Sequence, residues 1–116
     1  MPQFRAIHTI ELKQNVDAEV FEDFMSREYL PATGSLPGCL RVEFLKGYKG
    51  DFVGVAPSKH DYAWVTLWES VEANNAIWSR AGAHHTPEDI LEVNAKLYLY
   101  AASYSLVGGF TVEAAV

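Results

Sequence analysis

His8 is the side chain whose type and position are best suited to chemistry. It lies in the middle of Phe4–Leu12, where every second residue on its side is apolar. A histidine on an apolar strand face is most often a packed core residue. Because imidazole titrates close to neutral pH, it could also act as a general base on an acidic phenol or enol, or hold its oxygen. The residues alone leave both interpretations open.

Residues 62–70, Tyr-Ala-Trp-Val-Thr-Leu-Trp-Glu-Ser, alternate strictly between large and small side chains. Side chains of a strand point alternately to its two faces, so one face is small and aliphatic and the other carries large groups. This aromatic row consists of Tyr62, Trp64, Thr66 and Trp68. It could line a cavity for a flat apolar ligand, or it could fill a core or a subunit interface. The four residues are candidate substrate-binding residues, and the aliphatic face is the one expected to receive a helix.

Aromatic side chains near the predicted helices and the last strand add further candidates. Most of them are expected to pack, with hydroxyls that reach water or a backbone group, whereas one or two could orient a substrate oxygen. The residues assigned to substrate binding are Phe24, Tyr29 and Tyr104.

The sequence gives little support to a metal or nucleotide site. His84 and His85 are adjacent, so their side chains point in different directions, and they fall in a predicted loop between two helices. No His-x-x-x-His, Cys-x-x-Cys or carboxylate–histidine spacing occurs elsewhere. No glycine-rich phosphate loop or nucleophile elbow is present. We therefore predict no metal and no cofactor.

Composition indicates one globular domain, residues 1–116, of which 49% are hydrophobic. The net charge of −6 without a Lys/Arg cluster argues against a nucleic-acid partner. Apolar runs are far shorter than the ~20 residues of a membrane span. The N-terminus lacks the layout of a signal peptide, and Cys39 is the only cysteine, so a soluble, cytoplasmic protein without disulfides is expected.

Apolar periodicity predicts two strands and a helix in the first part of the chain. Phe4–Leu12 and Cys39–Lys46 alternate and are rich in strand-forming residues. Between them, a helix capped by Asn15 or Asp17 carries apolar residues at helical spacing. Pro31 is expected to end this helix, because the residue before a proline is pushed out of the α region.

Two helices are predicted after the aromatic strand. Ser70 is placed to cap the first of them, which would end at Gly82. Residues 86–89, Thr-Pro-Glu-Asp, combine a capping residue, a proline at the first helical position and acidic residues in the first turn. Before the aromatic strand, the connection Gly47–Asp61 is longer than a hairpin needs, which is typical of a mobile or functional loop.

Ala101–Val107 is predicted to be the last strand, with a break at Gly108 and Gly109. The order β-α-β-β-α-α-β is the split β-α-β, ferredoxin-like pattern of the α+β class, an antiparallel sheet with helices on one face. The aromatic row would then lie on the uncovered face, where so much exposed aromatic surface is not tolerated. A second subunit or a ligand must cover it, and we expect both: a homodimer through the open sheet face and a small apolar or aromatic ligand.

Three segments carry a family resemblance. They are residues 21–24 (Phe-Glu-Asp-Phe), residues 36–42 (Leu-Pro-Gly-Cys-Leu-Arg-Val), and residues 64–70 followed by Ala73 and Trp78. An amphipathic helix, a Pro-Gly turn into a strand, and a strand that ends in Trp-Glu-Ser before a helix resemble the dimeric α+β barrel superfamily. Within it, the chain is similar to the antibiotic-biosynthesis-monooxygenase (ABM) type of domain, over roughly residues 4–107.

The resemblance implies a homodimer in which two sheets face each other as a barrel, with a pocket in each subunit between its helices and its sheet. Whether the aromatic row faces this pocket or the dimer seam is left open. Members of the superfamily include cofactor-free oxygenases, haem-degrading enzymes, lactone isomerases and cyclases, so the fold does not fix the activity. In the oxygenases, the deprotonated substrate itself reacts with oxygen.

By this resemblance, His8 takes the first-strand position at which haem-degrading members carry a pocket-facing asparagine, and Trp68 matches their tryptophan. His8 is therefore the first catalytic candidate. The expected function is that of a cofactor-independent monooxygenase-like enzyme acting on an aromatic or polycyclic substrate. The alternatives are a haem-binding or haem-degrading protein, with His84 or His85 as the iron ligand, and a non-catalytic dimeric binding module.

Overall fold

The computed structural model describes residues 2–50, 54, 56–78 and 88–116, apart from the side chain of Trp78. The elements in chain order are β1 Phe4–Leu12, α1 Ala18–Phe24, a π-helical turn Met25–Tyr29, α2 Leu30–Gly34, β2 Cys39–Lys46, β3 Tyr62–Trp68, α3 Val71–Trp78, α4 Glu88–Tyr100 and β4 Ala101–Thr111. This order confirms the predicted ferredoxin-like α+β fold. Within the described ranges, no helix is long and apolar enough to cross a bilayer.

The described strands form one antiparallel sheet in the order β2-β3-β1-β4. In the register of this sheet, His8 of β1 lies opposite Trp64 of β3, and Ile10 lies opposite both Tyr62 and Tyr104. Directly opposed residues of neighbouring strands project to the same face. His8, the aromatic row and Tyr104 therefore share one side of the sheet.

The aromatic row faces the helices, so the prediction that it lies on the open side is wrong. Tyr62 packs on Phe21 of α1, with ring centroids 5.1 Å apart, and Trp64 meets Tyr29 edge-on at 5.2 Å. Trp68 is fully buried. The physical reason is that aromatic side chains have the most apolar area to remove from water, and the helical layer of the same chain covers them.

The opposite face carries aliphatic residues and a cluster of ion pairs. Val65 is buried and Leu67 half-buried on this side, although the described helices pack on the other. Glu43 pairs with Arg5 of the central strand at 3.6 Å and with Arg41 of its own strand at 3.5 Å. The open face is thus apolar in the middle and charged towards β2.

The first helix continues beyond Pro31 to Gly34, so the prediction that this proline ends it is wrong. The N–H of Leu30 donates to the carbonyl of Met25, five residues back, and Leu30 keeps helical angles (φ −63°, ψ −47°). A proline normally collides with the carbonyl four residues before it. The π-helical turn widens the helix immediately ahead of the ring, which relieves that collision.

β4 runs through to Thr111, so the predicted break at Gly108 and Gly109 is also wrong. Both glycines pair with β1, next to a register shift. A Cβ atom at Gly109 would collide with the ring of Phe4, which lies against the backbone of the strand. Glycine here allows a close approach within a strand, and does not interrupt it.

Two of the predicted helix caps are confirmed. The carboxylate of Asp17 accepts a hydrogen bond of 2.9 Å in the first turn of α1, and the hydroxyl of Ser70 accepts one of 3.2 Å in the first turn of α3. The predicted helix end at Gly82 and helix start at Thr86 lie outside the described residues.

Candidate active site

A cavity of about 360 Å³ lies between the helices and the β1–β4 side of the sheet. Its sheet wall is mostly aromatic and includes Phe4, His8, Trp64 and Tyr104. The volume is within the range of ligand pockets, about 300–1,000 Å³, and is enough for a small flat molecule. This is the open volume beside His8 that a ligand-binding role requires.

His8 packs between aromatic rings in this wall. Its imidazole stacks on Tyr104, with ring centroids 4.8 Å apart and an interplanar angle of 18°, and contacts Trp64 at 5.1 Å. Its Nδ1 atom is fully buried and has no hydrogen-bond partner among the described residues. Nε2 is therefore the ring nitrogen left to meet a ligand.

Burial lowers the pKa of His8 from 6.5 to about 4, because desolvation penalises the imidazolium form. The side chain is consequently neutral at pH 7. A neutral imidazole has one lone pair to accept a proton or a hydrogen bond, and one N–H to donate.

Trp64 has a second buried polar atom beside the cavity. No described residue accepts a hydrogen bond from its indole Nε1–H, although the side chain is only 2% exposed. A buried donor without an acceptor costs about 1–3 kcal/mol. Such groups are rare in native structures, and this donor is available to an acceptor in the cavity.

Two phenols form the polar end of the cavity. The hydroxyl of Tyr29 donates to Oδ1 of Asn94 at 2.8 Å and lies 3.5 Å from the hydroxyl of Tyr104. Burial raises the pKa of Tyr29 to about 12 and that of Tyr104 well above its ordinary value. Both phenols are therefore protonated at neutral pH and serve as hydrogen-bonding groups.

Carboxamides complete the wall that faces the sheet. Asn74 and Asn75 come from α3, and Nδ2 of Asn74 donates to Oδ1 of Asn75 at 3.2 Å. Asn94 comes from α4. Among the lining residues that the structure describes, none is an acid, a lysine or an arginine.

Four of the predicted site residues line this cavity: His8, Tyr29, Trp64 and Tyr104. The structure brings them together from β1, the π-helical turn, β3 and β4. Their roles in binding or catalysis remain predictions.

The other four, Phe24, Tyr62, Thr66 and Trp68, are buried and do not line the cavity. Phe24 and Tyr62 belong to the core cluster around α1, and the hydroxyl of Tyr62 donates to Glu22 at 2.5 Å. Thr66 accepts a hydrogen bond from the indole of Trp68 at 2.8 Å. These four side chains are packed or hydrogen-bonded within the fold and do not line this cavity, and their role in substrate binding stays a prediction.

Sequence reasoning missed several lining residues. Asn94 had a detectable signal, since it is a carboxamide at helical spacing between the buried residues Ile90 and Leu97. Asn74 and Asn75 had none, because polar residues on a short helix usually face water.

His84 and His85, the predicted alternatives for a haem ligand, lie outside the described residues. Among the residues that are described, no group of three or more metal-ligating side chains occurs. The expectations of no metal and no cofactor stay predictions.

The lowered pKa of His8 predicts an acid-sensitive fold. Between pH 6.5 and pH 4 the unfolded state binds a proton at this residue and the folded state does not, so stability falls as the pH falls. The expected loss is about 2 kcal/mol after allowance for partial solvent screening. Urea unfolding of the wild type and of His8→Gln at pH 7 and pH 4.5 measures it. Because the carboxylates titrate equally in both proteins, a pH dependence that is the same in both would contradict the prediction.

Comparison with known proteins identifies the fold. No protein-family model matches the chain, and no curated protein matches it in sequence. Solved structures do match over nearly the whole length. A dimeric ferredoxin-like protein of unknown function from Thermobifida fusca has a TM-score of 0.61 and 19% identity, covering 96% of this chain and 92% of its own.

Two enzymes are also similar in structure. SnoaB, a cofactor-independent oxygenase from Streptomyces nogalater, has a TM-score of 0.66 and 13% identity, covering 100% of this chain and 98% of its own. The hydroxynitrile lyase of Passiflora edulis has a TM-score of 0.68 and 13% identity, covering 99% and 97%. At these identities the likeness establishes the ferredoxin-like fold alone.

Proposed function

We propose that the protein is a small-molecule-binding homodimer whose cavity carries out cofactor-independent, monooxygenase-like chemistry on an aromatic or polycyclic substrate. The observation that carries the proposal is the neutral histidine in the aromatic wall of a cavity of about 360 Å³. Flat rings suit a wall of Phe4, Trp64 and Tyr104. An acidic group on the substrate would meet the imidazole.

In the proposed reaction, His8 takes a proton from an activated CH₂ group or an enol of the substrate. The imidazolium that forms is poorly solvated, but the adjacent substrate anion stabilises it by charge pairing. The electron-rich anion then reduces O₂. For a CH₂ group flanked by aryl rings, CH₂ and O₂ become C=O and H₂O, so one oxygen atom enters the product and the substrate supplies all the electrons.

The similarity to SnoaB supports this choice, because that protein is a cofactor-independent oxygenase of the same fold. The hydroxynitrile lyase shows that the fold also hosts other chemistry. The chain's own residues suit an aromatic substrate, since the described lining combines aromatic surface with neutral polar groups and has no acid, lysine or arginine.

Anthrone, an aryl-flanked CH₂ compound, is the probe for this function. Under nitrogen it should quench tryptophan emission saturably, because Trp64 is in the cavity wall. In air, the protein should consume one O₂ for each ketone formed, which an oxygen electrode and the quinone absorbance both measure. Absence of binding would refute the proposed site. Binding without oxygen uptake would refute the oxygenase activity and favour the non-catalytic binding module.

We further propose that two copies associate through the open sheet face. Val65 and Leu67 supply apolar surface on this face. Three matching solved structures are described as ferredoxin-like proteins, and two of these three are described as dimeric. Leu67→Arg should convert the dimer to a monomer, because it adds a third positive charge between Arg5 and Arg41, its direct cross-strand neighbours, within the proposed interface. Light scattering at micromolar concentration measures the mass.

Leu91→Arg is the matched control, since Leu91 is 53% exposed on α4. This variant should remain a dimer. A wild-type protein that is monomeric at micromolar concentration would contradict the proposed interface, as would a Leu67→Arg variant that stays dimeric.

A further inference from the structure

We propose that Asn94 is a specificity-determining residue, whose carboxamide N–H groups bind a neutral oxygen acceptor of the ligand, such as a ketone. The inference rests on the proposed function, because it names the polar group that the ligand of this cavity carries. In this arrangement the helical wall of the cavity recognises the polar group of the ligand, and the sheet wall recognises its flat rings.

The carboxamide of Asn94 is held in one orientation by a hydrogen bond. Oδ1 of Asn94 accepts a hydrogen bond of 2.8 Å from the hydroxyl of Tyr29, whose side chain is 1% exposed and therefore fixed by packing. With the oxygen engaged, the two N–H donors of Nδ2 remain. None of the described residues accepts a hydrogen bond from them, and Asn94 lines the cavity. The donors are thus available to an acceptor on the ligand.

Asn94 lies on the inward side of α4. Its neighbours Val93 and Leu97 are buried, so α4 turns this side towards the sheet. A carboxamide on the inward side of an amphipathic helix replaces an apolar contact with a polar one, which costs free energy unless a partner satisfies it. Tyr29 satisfies only the oxygen.

The described lining of the cavity carries no positively charged side chain. Because the described lining residues include no lysine or arginine, a ligand carboxylate or phosphate would be buried without a counter-charge. A ketone needs only a neutral donor. Carboxamide donors match that requirement, so the acceptor that fits this wall is neutral.

A pair of rigid tricyclic probes tests the inference. Fluorene and 9-fluorenone have the same planar body, and the second adds one ketone oxygen. The wild type should bind 9-fluorenone at least as tightly as fluorene. In Asn94→Leu, binding of 9-fluorenone should weaken by about tenfold, since the ketone then lacks its donor, while fluorene affinity stays unchanged. Quenching of tryptophan emission measures both affinities.

Tyr29→Phe is the second variant, because it frees the amide to turn while leaving both N–H donors in place. Its affinity for 9-fluorenone should weaken by about threefold, with no change for fluorene. Unchanged fluorene binding in both variants shows that the cavity is still folded.

The outcomes separate this inference from the function on which it rests. If the wild type binds neither probe, both are overturned. If it binds the two probes but Asn94→Leu weakens them equally or not at all, the role of Asn94 is overturned while the ligand site stands. Selective loss of 9-fluorenone in both variants supports the inference.

Discussion

Replacing Trp68 by alanine is expected to lower the free energy of unfolding by about 3–5 kcal/mol. The side chain is fully buried in a cluster with Leu36, Ile77 and Ile90, between the sheet and three helical segments. Alanine would leave a large cavity and would also remove the indole hydrogen bond to Thr66. Denaturant unfolding monitored by circular dichroism measures the change.

Two related variants make the result interpretable. Trp68→Phe keeps most of the packing and should cost clearly less than Trp68→Ala. Trp64→Ala should also cost less, because its space would join a cavity that is already present beside that residue. Equal losses for Trp64→Ala and Trp68→Ala would mean that both tryptophans act as core residues.

Replacing His8 by alanine is expected to reduce anthrone turnover by at least about 100-fold, the usual lower bound for the loss of a general base. The dimer should stay folded, because the smaller side chain leaves space continuous with the cavity. Oxygen uptake measures turnover, and light scattering together with a thermal melt measures the assembly and its stability.

His60→Ala is the matched control, because His60 is half-exposed and pairs with Glu11 at 2.7 Å, away from the lining of this cavity. It should retain wild-type turnover. If His8→Ala is less stable yet binds and oxidises anthrone normally, His8 is a structural residue and the enzymatic proposal loses its base.

The order of elements followed from the sequence because local patterns specify it. Alternation predicted β1 and β2 with the observed bounds, and the capping residues Asp17 and Ser70 act as expected. The breaks at Pro31 and at Gly108 were wrong for a common reason. Each residue has a local preference that its surroundings override, through the π-helical turn in one case and pairing with β1 in the other.

The candidate site was predicted in part. Alternation could separate the two faces of β1 and β3, and one of these faces supplied His8 and Trp64. Alternation cannot say which side of a sheet the helices occupy, nor where along a strand they stop covering it. The contribution of α3 depends on tertiary packing of this kind, which is why Asn74 was not predicted as a site residue. Asn94 of α4 was missed although its helical spacing could have indicated it.

The π-helical turn makes the first helix dependent on its length as well as on its composition. Such a turn corresponds to a single inserted residue in an α-helix. Deleting one exposed residue of the turn, such as Ser26, would therefore close it into an ordinary α-helix and leave Tyr29 on nearly the same face. The ring of Pro31 would then collide with the carbonyl four residues before it. The deletion would thus strain the helix beside the cavity, although every residue that lines the cavity would still be present.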